Sequence, residues 1–357
     1  QDPYESDDAR WEEPAGPSSW HEPLTGGGWL EGLQNLWQWD DIAAEIGQEI
    51  RARVAFVGLP GAGKSVLFNQ LRGWELSAEP LPAEMDAALQ VEPFGFFVLA
   101  DLPAESTPEL GSGEQLLYAL GEPALVVYLL DAAAGVRPAD FRWLAALRAC
   151  SVPLVIALNK IDLLPNLAAT VGEAEQRLGL PVIPIAARTN LYLDEKLIPA
   201  ILDAAPRLAV PLGRELAHLR RVAARRVIQQ VALFAGLMGA QPIPLLDIPF
   251  QAMLQVGMVM RVGAAFGRTP TGGINREIIS TVVSSLGLRY LAASLIKLVP
   301  ILGWIVGGMI SMASTMLIGE IAIRYFEARG QLTMPQIAGR FRWKPLRLRR
   351  RNDDAPL

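Results

Sequence analysis

Val54-Ala55-Phe56-Val57-Gly58-Leu59-Pro60-Gly61-Ala62-Gly63-Lys64-Ser65-Val66-Leu67-Phe68-Asn69-Gln70-Leu71 holds a strand, a loop and the opening of a helix in 18 residues. The first four are apolar and partly β-branched, the composition of a buried strand. The last six carry apolar residues at helical spacing. Between them Gly58 to Ser65 has the Gly-x4-Gly-Lys-Ser spacing of a P-loop, and a preceding strand and following helix separate such a loop from a glycine-rich turn. Glycine at 58, 61 and 63 lets consecutive backbone N–H groups face a phosphate without Cβ clashes. The helix N-terminus adds partial positive charge. The chemistry assigns Lys64 to the β- and γ-phosphates and the Ser65 hydroxyl to Mg²⁺. Pro60, Ala62 and Val66 complete the lining of the loop.

Outward from this loop, residues 52–204 alternate short apolar runs with helical patterns. The runs are 52–57, 88–91, 94–100, 124–130, 152–158 and 181–185; helical stretches include 64–71, 113–120, 139–149 and 193–204. This layering predicts an α/β domain over 51–205, with a six-stranded, mostly parallel sheet covered on both faces. The join between the second and third runs, near Pro93 and Gly95, is too short for a crossover and predicts one antiparallel hairpin. Asp101 ends the third run, where a carboxylate beside the phosphate loop suits a second Mg²⁺ contact. Asn159-Lys160-Ile161-Asp162 follows the fifth run. The Asp162 carboxylate can accept from guanine N1–H and N2–H, a donor pair that adenine lacks on that edge. The Lys160 stem can pack over the base, and Asn159 can tie this loop to the P-loop.

Together these motifs resemble the translation-factor-related class of P-loop GTPases, and among them the Era-like family. The resemblance extends through Gly58–Gly73, through Leu130-Asp131 before Ala-Ala-Ala-Gly-Val, and through Pro184-Ile-Ala-Ala-Arg188-Thr. The last matches the family's Ser-Ala-Lys loop, so it implies base contacts at Ala186, Ala187 and Arg188, with the Ala187 N–H on the guanine oxygen. It also implies GTP and GDP as ligands with Mg²⁺, and catalytic roles for Lys64 and Asp101. Departures from the family concentrate where the γ-phosphate is sensed. Its Asp-x-x-Gly reads Asp101-Leu-Pro-Ala104, Glu105 follows instead of a water-orienting glutamine, and no threonine occurs between Gly73 and Asp101, where only Ser77 carries a hydroxyl. A threonine there normally ligates Mg²⁺ and senses the γ-phosphate. These departures predict nucleotide binding with slow unaided hydrolysis.

The rest of the chain divides by charge. Residues 1–213 carry 13 Lys/Arg and 30 Asp/Glu, while 214–357 carry 19 and 7. A basic half beside an acidic one points to an anionic partner, a lipid surface or nucleic acid. Cys150 is the only cysteine and His21 and His218 the only histidines, which excludes a disulfide framework and a thiolate or histidine metal cage. A cytosolic setting follows. Residues 1–28 are too polar to order alone. With Trp11 and Trp20 there, and Trp29, Trp37 and Trp39 beyond, the arm suits a protein partner. Residues 29–50 predict an amphipathic helix.

Residues 206–330 lose strand signals and become almost continuously apolar, which predicts helical segments near 212–238, 245–267, 274–298 and 300–328. Pro244-Leu-Leu-Asp247-Ile-Pro, the segment from Gln251 to Gly267, Lys297-Leu-Val-Pro300 with Gly303, Gly319 and Tyr325-Phe326 resemble an uncharacterised helical domain behind some bacterial Era-like GTPases. Residues 298–319 hold no charge over 22 positions, long enough for a bilayer core, which needs ~20. Gly303 and Gly307 are spaced for close helix packing. Residues 331–357 form a basic tail, Arg340-Phe-Arg-Trp-Lys-Pro-Leu-Arg-Leu-Arg-Arg-Arg351. The favoured expectation is a nucleotide switch on the cytoplasmic face of a membrane, held by the helical domain and tail on anionic lipid. The alternatives are a ribosome- or RNA-associated GTPase, a non-catalytic GTP-binding subunit, and a soluble bundle that pairs copies of the chain. Nucleic acid is the less favoured anion, since no recognised RNA module is present.

Overall fold

The structure, a computed structural model, describes residues 39–73, 89–104, 113–240, 247–269 and 302–328. The tryptophan arm, Ser77, Glu105, the expected segment 274–298 and the basic tail lie outside the described residues.

The nucleotide-binding half is a six-stranded sheet in the order β2-β3-β1-β4-β5-β6. Its strands are β1 (Val54–Gly58), β2 (Gln90–Phe94), β3 (Phe97–Asp101), β4 (Leu125–Asp131), β5 (Leu154–Asn159) and β6 (Ile183–Pro184). Only β2 runs antiparallel, joined to β3 through Gly95 at φ +67°. Pro93 sits in this edge strand, where a missing N–H costs no inner ladder bond. Every residue of β1 is buried, as expected of a parallel strand covered on both faces. Parallel register brings Gly58 opposite Asp101, and Asp131 opposite Asn159. The C-terminal ends of four strands therefore meet on one edge of the sheet, where ligands sit in open α/β folds.

Helices cover the sheet: α2 (Lys64–Arg72), α3 (Gly113–Ala119), α4 (Pro138–Ala149), α5 (Leu167–Leu178) and α6 (Ile198–Ala204), preceded in the chain by α1 (Trp39–Ile50). Phe68 of α2 packs against Phe94 and Phe97, with ring centroids 4.9 and 5.6 Å away. The Arg72 guanidinium lies over the Phe68 and Phe97 rings and reaches Glu215 at 2.8 Å.

Beyond Ala205 the described chain is all helical: α7 (Ala209–Glu215), α8 (Arg220–Gly239), α9 (Asp247–Ala265) and α10 (Leu302–Glu327). The single helix expected near 212–238 is broken at Leu216, which is extended and buried. The break turns α7 back so that Gly213 meets α8 and α9; a Cβ at Gly213 would lie 3.0 Å from Ala265 and 3.1 Å from Ala223. No proline marks this break, so the sequence pattern hides it. α8 and α10 cross antiparallel through small residues. A Cβ at Gly319 would meet Ile228, one at Gly236 would meet Met312 and the Gly308 carbonyl, and one at Gly239 would meet Ser311. The contact thus uses Gly308 and Gly319, and the Gly307 carbonyl, which faces Gly239. Between α9 and α10, buried Gln251 and Gln255 hydrogen-bond Ser311 and Thr315. These bonds join the two helices through buried polar groups, whose partners are costly to lose.

α1 belongs with this bundle. It buries Ile42 and Ile46 against α7 and α9, and Arg261 of α9 holds Glu45 and Glu49, each at 2.8 Å. Burial raises the Glu49 pKa and Arg261 opposes that rise.

Candidate nucleotide site

The loop from Gly58 to Ser65 leaves β1 and enters α2 through three glycines whose conformations explain their presence. Gly61 and Gly63 have φ +82° and +94°, which L side chains rarely adopt. At Gly58 a Cβ would come 2.5 Å from the Leu129 carbonyl oxygen, and at Gly63 one would come 2.3 Å from Asn159 Nδ2. Nothing stands within 4 Å of a Cβ at Gly61, on the open side of the loop.

Lys64 is 5% exposed and its Nζ donates to the carbonyls of Gly58 and Leu59, both at 2.9 Å. It is also ion-paired with Asp101, brought alongside by the β1–β3 register. Burial lowers the Lys64 pKa and the Asp101 carboxylate opposes that fall. The loop, its lysine and the strand-end carboxylate thus form one unit. Ser65 stands half-buried in the first turn of α2. Among the described residues no three metal-binding side chains cluster. An ion on Ser65 and Asp101 would draw its other ligands from phosphate and water, the habit of Mg²⁺. The two residues fit that role, and Mg²⁺ bound there would neutralise phosphate charge.

Asn159 is 2% exposed and spans two loops. Its Nδ2 donates to the Ala62 carbonyl at 2.8 Å, and its Oδ1 accepts from the Ala187 N–H at 2.9 Å. The side chain therefore ties the P-loop to the 186–188 loop. The Ala187 N–H assigned above to the guanine oxygen is, in this structure, donated to Asn159. Ala186 is buried and exchanges backbone bonds with Leu191. Gly63, Val66, Asn159, Lys160, Asp162, Leu163 and Arg188 line a cavity of ≈ 410 Å³. The structure thus brings both motifs and the 186–188 loop to one cleft, with the Asp162 side chain at its exposed rim. Pro60 is half-buried beside Gly61.

Asp131 was visible only as part of the flanking resemblance, and the structure gives it a place in the site. Its Oδ2 pairs with Lys160 Nζ at 2.6 Å, and its Oδ1 accepts the Ala133 N–H at 3.0 Å. Lys160 has φ +68°, an uncommon conformation for a non-glycine residue. Asp131 holds that strained lysine beside the base cleft. Replacing Asp131 by alanine is expected to weaken GDP binding about tenfold, the loss of one charge-assisted hydrogen bond. Titration with a fluorescent GDP analogue checks this; unchanged affinity would mean that the Lys160 backbone alone sets the pose.

The segment after Asp101 is held from α4. Trp143 Nε1 donates to the Pro103 carbonyl at 2.9 Å and Arg142 donates to the Ala104 carbonyl at 2.8 Å. α4 is itself rooted through Asp140, fully buried, which accepts from Tyr128 Oη at 2.9 Å and from the Arg137 N–H at 2.8 Å. Burial first, then the Asp140 carboxylate, pushes the Tyr128 phenol well above its ordinary pKa, so it remains a donor. Sequence reading had no signal for these clamps, since tryptophan and arginine on a helix are most often packing and solvation.

Residues 53–160 match the family model described as 50S ribosome-binding GTPase. Among curated proteins the chain is 34% identical over 163 residues to GTPase Der of Bartonella tribocorum, covering 42% of this chain and 33% of that protein. It is 27% identical over 234 residues to GTPase Der of Desulforudis audaxviator, covering 63% and 53%. The chain thus spans about half the length, or less, of these relatives. Among solved structures it is similar to the FeoB G-domain from Methanococcus jannaschii, at 26% identity and TM-score 0.29, over 43% of this chain and 97% of that one. It is also similar to a probable GTP-binding protein engB, at 18% identity and TM-score 0.33, over 43% and 99%. With its loop, strand-end carboxylate and base motif in one cleft, the chain carries a P-loop GTPase domain related to the Der- and Era-type GTPases.

Proposed function

We propose that the chain is a guanine-nucleotide switch, binding GTP or GDP with Mg²⁺ on Ser65 and Asp101, whose helical bundle docks on the cytoplasmic face of a membrane. Residues 206–330 are taken as the uncharacterised helical domain that follows some bacterial Era-like GTPases. One observation carries the membrane part of this reading: the most exposed apolar side chains of α8 and α10 gather at the end away from their ion pairs. Near the start of α8 and the end of α10 lie the ion pairs Arg221–Glu327 and Arg225–Glu320, at 2.8 and 3.6 Å. At the opposite end Leu233 and Leu237 of α8 and Ile305 and Met309 of α10 are 58%, 65%, 57% and 67% exposed. Gly303–Glu327 is also, among the described residues, the one helix long and apolar enough to cross a bilayer, with 39% of its apolar stretch buried. Exposed apolar side chains at one end of close-packed helices suit lipid contact.

Hydrolysis by the isolated chain is slow in this reading. Ala104 stands where the family has glycine, and the sequence offers neither a water-orienting glutamine nor a threonine between Gly73 and Asp101. Single-turnover measurement on pure protein is expected to give a rate on the order of 10⁻³ s⁻¹ or below, the range of GTPases that await an activator. Flotation of the full chain on phosphatidylglycerol-containing vesicles tests the membrane part. The wild type should float, and Leu237→Glu with Met309→Glu should reduce binding tenfold or more, because charge is costly in lipid, at unchanged GDP affinity. Wild-type protein that stays unfloated and sediments with ribosomes would replace this reading with the ribosome-associated one.

A further inference from the structure

A second cavity, of ≈ 790 Å³, opens at the charged end of the bundle, lined by Ala217, His218, Arg220, Arg221, Phe266, Gly267, Arg268, Phe326 and Glu327. It is separate from the nucleotide cleft and shares none of its residues. Three parts of the chain converge on it: the turn entering α8, the residues just after α9, and the end of α10. Its cations are not all matched by acids. Arg221, Arg225, Arg226, Arg261 and Arg324 each face a carboxylate. Arg220 instead spends its Nε on the Gly213 carbonyl at 3.3 Å, and among the described residues no carboxylate pairs with Arg220, Arg268 or His218. The one acid in the wall, Glu327, is held by both Nε and Nη2 of Arg221. α8 adds its own field, since its first turn has no acidic residue and its cap no side-chain acceptor. Behind the cations Phe266 and Phe326 stack with centroids 6.2 Å apart and give the cavity an apolar wall.

Two guanidiniums without a carboxylate partner converging on one cavity, with a helix start lacking a side-chain cap beside them, are the chemistry that recognises phosphate. We propose that this cavity binds a phosphate-bearing anion through Arg220 and Arg268, with His218 beside them. The anion is a phospholipid headgroup or a small soluble phosphate ester. The lipid source rests on the membrane reading above, whereas the anion chemistry does not. The geometry suits a headgroup, because the 18 helical residues from Arg220 to Leu237 span ~26 Å, close to a bilayer core. If the exposed apolar end lies in lipid, the cavity stands at headgroup level, where basic pockets between helices meet anionic lipids.

The test compares the full-length wild type with Arg220→Gln/Arg268→Gln and with the charge-keeping Arg268→Lys, all checked for unchanged GDP affinity and melting temperature. One arm measures flotation on phosphatidylglycerol vesicles against phosphatidylcholine vesicles. The other measures titration with soluble glycerol 1-phosphate by protein NMR. A loss of about tenfold or more in phosphatidylglycerol binding in the double variant, with Arg268→Lys largely preserved, supports the headgroup; the size follows from removing two surface charges. Saturable glycerol phosphate binding that the double variant loses, in a wild type that floats on no vesicle, supports the soluble ester and removes the membrane reading instead. Equal behaviour of wild type and double variant in both arms overturns the proposal, and leaves the membrane reading standing if both float.

Discussion

Asn159→Ala is expected to raise the GDP dissociation constant at least a hundredfold and to lower the unfolding free energy by about 2–4 kcal/mol. The Asn159 amide is 2% exposed and satisfies an acceptor in the P-loop, the Ala62 carbonyl, and a donor in the 186–188 loop, the Ala187 N–H. Alanine strands both in a site where water has little access, and each unpaired buried group costs about 1–3 kcal/mol. The P-loop also loses the group against which Gly63 closes, at the 2.3 Å approach a Cβ would make. A fluorescent-nucleotide titration and a urea melt read the two effects. Near-wild-type affinity in a folded variant would show that the loops keep their spacing without this bridge.

Asp162→Asn should exchange the base. Guanine offers N1–H and N2–H donors to the carboxylate, while xanthine carries a carbonyl at position 2 that the asparagine amide can meet with an N–H. GDP affinity is expected to fall about a thousandfold or more and affinity for the xanthine nucleotide to rise in step, as in other sites where a polar partner is mismatched. The Asp162 side chain is exposed at the cavity rim and makes no hydrogen bond within the described protein, so melting should not change. Equal loss of both nucleotides would remove Asp162 from the base-selecting role.

Legibility of the site in the sequence followed distance along the chain. The P-loop and Asn159-Lys160-Ile161-Asp162 could be read because each packs its chemistry into a few residues at the end of a strand, and strand ends on a parallel sheet share one edge. Asp101 could be placed for the same reason. The Asp131–Lys160 pair, the Trp143 and Arg142 clamps and the Arg261–Glu49 pair could not. Each joins residues 29 to 212 positions apart, and none of those residue types is rare on a helix or at a strand end. The edge hairpin was readable from its short join. The break at Leu216 was not, because Pro211 and Gly213 lie inside α7 and the break itself falls on a buried leucine. The Ala187 N–H shows the limit from the other side: its hydrogen-bond partner in the structure is a side chain 28 positions away, which no local motif announces.

Because α1 packs into the helical unit through Ile42, Ile46 and the Arg261 pairs before the chain enters β1, the nucleotide domain is an insertion within the helical unit rather than a head on a single stalk. It is mounted on two struts, one entering at residues 51–53 and one leaving after Ala205. A body held at two points cannot swivel freely. Any movement of the sheet must bend or shear the seat that both struts share, so the mounting favours a hinge over a tether.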